Sequence, residues 1–141
     1  YRSSIWFFPN HSNSICNLSS LNGLTLVKTA EPHGDWTAKG PVAVLVGRWT
    51  GSMGEGLAIG FDGIERGEVF GSDMARLAGG VEDYRLSQTG FPIRLPAYDL
   101  AHLNGTPRHE WSPPHQVVAD NGDGPDLALA AALDWIGRPE D

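Results

Sequence analysis

Cysteine occurs once in these 141 residues, as Cys16, so no internal disulfide can staple the fold. A lone cysteine is more often a small buried hydrophobe than a reactive thiol. Lysine is nearly absent, with only Lys28 and Lys39. Positive charge is scarce in total: 10 Lys and Arg stand against 17 Asp and Glu, a formal charge of −7. That balance excludes the basic face on which nucleic-acid binding depends. No apolar run approaches bilayer length, so no membrane span is expected. The chain begins at Tyr1, without a methionine or a recognisable signal peptide, and is expected to be a piece of something longer. Hydrophobic residues make up 40% of it, which argues against disorder, and its length suffices for one domain with its own core.

The rest of the chain is organised around residues 41–60. Val42 to Val46 is a continuous apolar run of strand length and largely β-branched character, which predicts a fully buried strand. A Gly-rich turn follows, and after Ser52 come helix-compatible residues with Met53, Leu57, Ile59 and Phe61 apolar. Strand, sharp turn, serine, helix is an order that lifts a hydroxyl to the sheet edge beside free amides of a helix start. A nucleophile there has an oxyanion hole at hand, with the Met53 N–H as the expected donor. The same residues also fit a plain helix cap made by the serine hydroxyl. The local pattern leaves both readings open.

Val44-Leu-Val, followed by Thr50-Gly-Ser52-Met-Gly-Glu55, resembles the nucleophile segment of the tail-specific, or carboxy-terminal processing, serine peptidases. That family includes the tricorn core protease and the retinoid-binding protein repeats. Gly67-Glu-Val-Phe-Gly71 is similar to its next strand. Asn104-Gly-Thr106, Glu110 and Pro114 resemble its late turn, acid and proline, and Asp126 to Ile136 its closing helix. The resemblance covers residues 40–137. It implies an α/β fold of the crotonase/ClpP-like kind, a layered mixed sheet with packed helices, present as a partial catalytic domain. Residues 40–141 would be its C-terminal part, and residues 1–39 a preceding segment of uncertain structure. The implied activity is peptide bond hydrolysis through an acyl-enzyme on Ser52, without cofactor or metal. The implied partners are a peptide or protein substrate and an oligomer mate or a missing upstream domain. The family is often extracytoplasmic in bacteria, but this chain carries no address of its own.

A serine hydroxyl needs a general base. The Ser–Lys branch of the resembled family commonly carries a lysine in a Gly-Lys-Gly setting about twenty-five residues after the serine, a count that falls here on Leu77. Both lysines of this chain lie upstream, and Arg76 cannot accept a proton because guanidinium stays charged. A Ser–Lys dyad is therefore excluded for this chain by itself. The tricorn-like branch instead uses serine, histidine and glutamate, and its late acid falls at Glu110. Its histidine comes from well upstream. Here His109, beside Glu110, is the best internal substitute; His11 and His33 stand in loop-like segments without a matching motif. Glu110 also reads as a surface glutamate on a strand end. Gly51 and Trp49 are candidates to line the substrate cleft, although large aromatics more often belong to the core. Glu55 is expected to favour the helix dipole and reach back to an N-terminal amide, as in a capping box.

The remaining expectations are coarser. Ile5 to Phe8 reads as a strand or docking segment, His11 to Asn22 as a Ser/Asn-rich loop, and Leu24 to Val27 as a short strand. A strand is expected over Glu68 to Phe70, then a loop or helical turn over Ser72 to Gly80. Tyr84 to Gln88 and Phe91 to Tyr98 predict a hairpin joined at Thr89-Gly90, with Pro92 and Pro96 marking its second strand as an edge or irregular. His115 to Val118 is one more strand. Pro125, the acids near Asp126 and Gly137 punctuate a helix over Asp126 to Ile136. Asp120, Asn121, Asp123 and Asp126 lack calcium-loop spacing and are assigned no metal.

Two other functions fit parts of the pattern. A non-catalytic relative could keep the fold and bind peptide or a hydrophobic ligand, which the absent base favours. An α/β-hydrolase-type esterase fragment is suggested by Thr50-Gly-Ser52-Met-Gly54, one glycine short of Gly-x-Ser-x-Gly, with Asp99 and His102 or His115 as partners. The hairpin-rich region 84–98 fits that fold poorly.

Overall fold

Residues 15–21, 24–30, 40–117 and 124–138 are described by the computed structural model of the chain, the first two stretches as backbone alone. In chain order they form β1 (Ile15–Leu21), β2 (Leu24–Ala30), β3 (Ala43–Val46), α1 (Met53–Gly63), β4 (Glu68–Gly71), β5 (Gly79–Arg85), β6 (Pro92–Ala101), β7 (His115–Gln116) and α2 (Leu127–Ile136). Two sheets result. One is antiparallel, in the order β2-β1-β6-β5, and the other is parallel, in the order β3-β4-β7. The fold is a mixed α/β one.

The parallel sheet is built on the β3–α1–β4 unit. Val46, Ala58, Ile59, Val69, Met74 and Trp111 form one buried cluster, so α1 lies against β3 and β4 through its small and branched residues. Burying side chains of this size contributes about 1.5–3 kcal/mol each. Successive residues of β4 point to opposite faces. Val69 enters that cluster, while Phe70 meets Trp135 of α2 at 5.8 Å between ring centres, so the two helices cover opposite faces of the strand. Helix α1 also packs on β1, which joins the two sheets. Helix α2 begins at Asp126, whose carboxylate accepts the Leu129 amide at 3.0 Å, a cap of about 1 kcal/mol.

Several expectations change. Strand β3 is an edge strand, not a fully buried one, and Leu45 is 42% exposed. Residues 15–21, read as loop, form β1, because pairing with β2 on one side and β6 on the other satisfies a backbone that its Ser and Asn side chains do not favour. Strand β2 runs on to Ala30. The first strand of the hairpin begins earlier than expected, at Gly79, and the connection spans residues 86–91. Pro92 and Pro96 lie in the part of β6 that pairs only with β5, since β1 meets β6 at Asp99, Leu100 and Ala101. Gly80 pairs with Tyr98 and Val81 with Pro96, so Ala97 is the extra residue of a bulge. The segments around Ile5, His11, His33 and Asp120–Asp123 lie outside the described residues. Among the described residues no helix is long and apolar enough to cross a membrane.

Candidate active site

Gly47 to Thr50 closes a tight turn after β3: the Thr50 amide donates to the Gly47 carbonyl at 2.7 Å, and the Gly47 amide donates to the Thr50 hydroxyl at 3.1 Å. Two residues later Ser52 stands exposed at the start of α1, with φ 54° and ψ −115°. An ordinary helix cap sits in the extended region. A left-handed serine costs about 1–3 kcal/mol and persists only where its surroundings enforce it. Such a strained strand-to-helix turn is how a hydroxyl is carried clear of the sheet. Met53 is the first residue of α1, and first-turn amides have no carbonyl within their own helix to meet.

The enforcing groups are a buried ion pair. Glu55 is 0% and Arg108 2% exposed, with Arg108 Nε 3.6 Å from Glu55 Oε2. Glu55 accepts the Ser52 amide at 2.9 Å and the Leu77 amide at 3.1 Å. Arg108 donates to three carbonyls: Leu77 at 2.6 Å, Gly79 at 2.8 Å and Ser52 at 3.2 Å. The reach of Glu55 back to the Ser52 amide was expected, but its burial and its partner were not. Burial pushes the Arg108 guanidinium below its ordinary value, and the charges of Glu55 and Tyr98 pull it back up. It stays protonated. Sequence reasoning missed Arg108 altogether; the available signal was an unpaired arginine in the same segment as Glu110.

The segment after β4 lies along the serine turn. The Ala75 amide donates to the Thr50 carbonyl at 2.9 Å, and a side chain at Gly51 would meet Ala75 and Leu77 at 3.4 and 3.5 Å. Leu77 thus stands beside Gly51 with a side chain that cannot take a proton. Arg76 bonds the Asp73 carboxylate at 2.6 Å and the His109 carbonyl at 2.9 Å, while the Ser112 hydroxyl bonds Asp73 at 2.7 Å. These contacts tie residues 109–112 to the same segment. His109 and Glu110 lie side by side, Nε2 to Oε1 3.6 Å, too long for a hydrogen bond. Among the described residues neither is hydrogen-bonded to the Ser52 hydroxyl.

Arg76, then Ser112, hold the Asp73 carboxyl below its usual value. A depressed carboxylate contributes stability above its unfolded pKa of 3.8 and loses it as pH falls through the lower folded value. Asp73→Asn should therefore flatten the acid limb of the stability curve below about pH 4. The effect should be small because the pair is half exposed, and urea midpoints between pH 2.5 and 6 measure it.

An open cleft of about 1100 Å³ lies at the carboxyl ends of all three parallel strands, where ligands of α/β sheets bind. Arg48, Trp49, Thr50, Ser72, Asp73 and Gln116 line it, and Ser52 lies two residues beyond its Thr50 wall. Trp49 is 85% exposed, with the Arg48 guanidinium 4.8 Å from its ring centre, whereas Trp111 belongs to the core.

No protein-family model matches the chain, and no curated protein does. Solved structures match it. The photosystem II D1 C-terminal processing protease superposes with a TM-score of 0.63 and 19% identity over 89% of this chain. The chain shares the fold of part of that processing protease. Mature CPAF superposes with a TM-score of 0.52 and 19% identity over 62% of this chain. The chain spans 32% and 17% of the lengths of these two structures.

The residues wanted by an α/β-hydrolase are engaged elsewhere. His102 Nε2 lies 3.1 Å from Asp62, ten residues along α1 from Ser52 and so about 15 Å away. His115 bonds Glu68 at 2.8 Å and stacks on Phe70.

Proposed function

We propose that residues 40–141 are the C-terminal part of a serine-type peptidase catalytic domain of crotonase/ClpP-like layering, preceded by the segment 1–39. Ser52 is its nucleophile. The observation that carries this reading is the left-handed backbone of an exposed serine at the head of α1. Ser52 Oγ attacks the scissile carbonyl carbon and gives its proton to a histidine. The Met53 amide stabilises the oxyanion, the amine leaves with the proton, and water then releases the acyl group. His109 and Glu110 are the base and its orienting acid in this chain, unless a histidine of an upstream domain serves. Trp49 and Gly51 border the bound peptide. The substrate is a peptide or protein, and pairing with a second copy or an upstream domain completes the site.

A second reading rests on Leu77. An apolar side chain beside Gly51, and a serine hydroxyl to which neither His109 nor Glu110 is hydrogen-bonded, suit a relative that binds peptide without cleaving it. Hydrolysis of a quenched fluorescent peptide library by the longest natural form of the protein separates the two. Ser52→Ala should lower turnover by about three orders of magnitude or more and leave peptide binding intact. Turnover unchanged by that substitution would remove Ser52 from the chemistry. Binding without turnover in the unmodified protein would leave the second reading.

A further inference from the structure

We infer that Arg108 is a positioning residue that sets the register between the serine turn and the His109–Glu110 segment. This rests on the peptidase reading of Ser52. Three observations carry it. The guanidinium is buried and places three of its five N–H donors on backbone, one on the Ser52 carbonyl and two on Leu77 and Gly79. Its counter-ion Glu55 holds the same two residues from their amide side, through the Ser52 and Leu77 N–H groups. Ser52 is therefore gripped by its N–H and its C=O at once, which is what a left-handed conformation requires to persist. Third, Arg108 directly precedes His109 and Glu110, and its own amide is fixed to the Leu100 carbonyl at 2.8 Å. The backbone that carries the candidate base and acid is thus referenced to β6 on one side and to the nucleophile turn on the other.

The planar fork explains why arginine stands here. Nε, Nη1 and Nη2 reach three carbonyls on two separate segments, a geometry that the single ammonium of lysine cannot reproduce. Loss of the pin lets the serine turn and the 108–110 segment move independently, and misplacement of about 1 Å lowers reactivity about 100-fold.

The test uses the full chain in its longest natural form. Arg108→Lys keeps the charge, and the double change Glu55→Gln with Arg108→Met removes both charges, so that neither variant leaves one ion buried alone. Two readouts are taken per folded molecule: the rate of fluorophosphonate adduct formation at Ser52, and hydrogen exchange at the Ser52 and Leu77 amides. Both variants should show adduct formation 10- to 100-fold slower than the parent at every pH, and loss of exchange protection at both amides. Guanidinium ion at low millimolar concentration should restore part of the rate to Arg108→Ala, and urea at the same concentration should not. Val69→Ala, which thins the core elsewhere, should lower the melting temperature and leave the rate per folded molecule unchanged. Parent-like rates and parent-like exchange in both variants would overturn the proposal. If the parent itself forms no adduct, the peptidase reading fails, and amide exchange alone still decides whether Arg108 holds the turn.

Discussion

Glu55→Ala should destabilise the chain by about 3–5 kcal/mol, the cost of breaking a buried ion pair from one side. The substitution leaves the Arg108 guanidinium in the interior without a counter-charge and strips the Ser52 and Leu77 amides of their acceptor. Each half-buried amide left without its acceptor adds to the loss. The serine turn, already strained at φ 54°, would have no group holding its amide side. Urea unfolding should show the midpoint falling by a large fraction of the total, because small domains have only about 5–15 kcal/mol in all. A midpoint within experimental error of the parent would mean that the pair is not the clamp described above.

Gly71→Ala should be still more damaging. Gly71 ends β4 with φ 137°, a region that side chains avoid, and a Cβ there would stand 1.9 Å from the Val46 carbonyl oxygen. That oxygen belongs to the neighbouring strand, so relief requires β3 and β4 to separate at the cleft. The expected loss exceeds about 4 kcal/mol, a range that few mechanisms reach, a backbone clash among them. Gly90→Ala is the comparison. Gly90 also has a positive φ, 71°, but open space surrounds it, and the cost should be about 1–2 kcal/mol. Equal effects of the two changes, read from thermal melts, would show that the clash with β3 is absent.

The serine turn was legible because its logic is local: an apolar run, small residues, a serine and an acid one helical turn on. Helix α2 was legible for the same reason, from Pro125, Asp126 and Gly137. What the sequence hid is long-range. Strand β1 looks like a loop in composition and exists because β2 and β6 flank it. The exposure of β3 depends on its place at the sheet edge, which no window of residues records. The bulge at Ala97 lets a proline-bearing strand pair, so Pro92 and Pro96 mark only its free portion. Arg108 lies 56 residues from the carbonyl it holds, and nothing near it in the chain announces the partnership. Glu55 was read as a helix cap alone because a capping acid and one half of a buried ion pair look alike in sequence.

The position of Leu77 gives the site its particular character. Its backbone is locked to Glu55 and Arg108, yet its side chain faces Gly51 with nothing to offer a proton. On the proposed reading the base is then a histidine, and the His109 carbonyl is tied to the segment of Leu77 by Arg76. The most direct measurement is mass-spectrometric mapping of the adduct formed by a fluorophosphonate probe on the longest natural form of the protein. The account predicts one modified peptide, carrying the probe at Ser52, and none after Ser52→Ala. A probe found on another serine, or the same adduct yield from the Ser52→Ala protein, would contradict it.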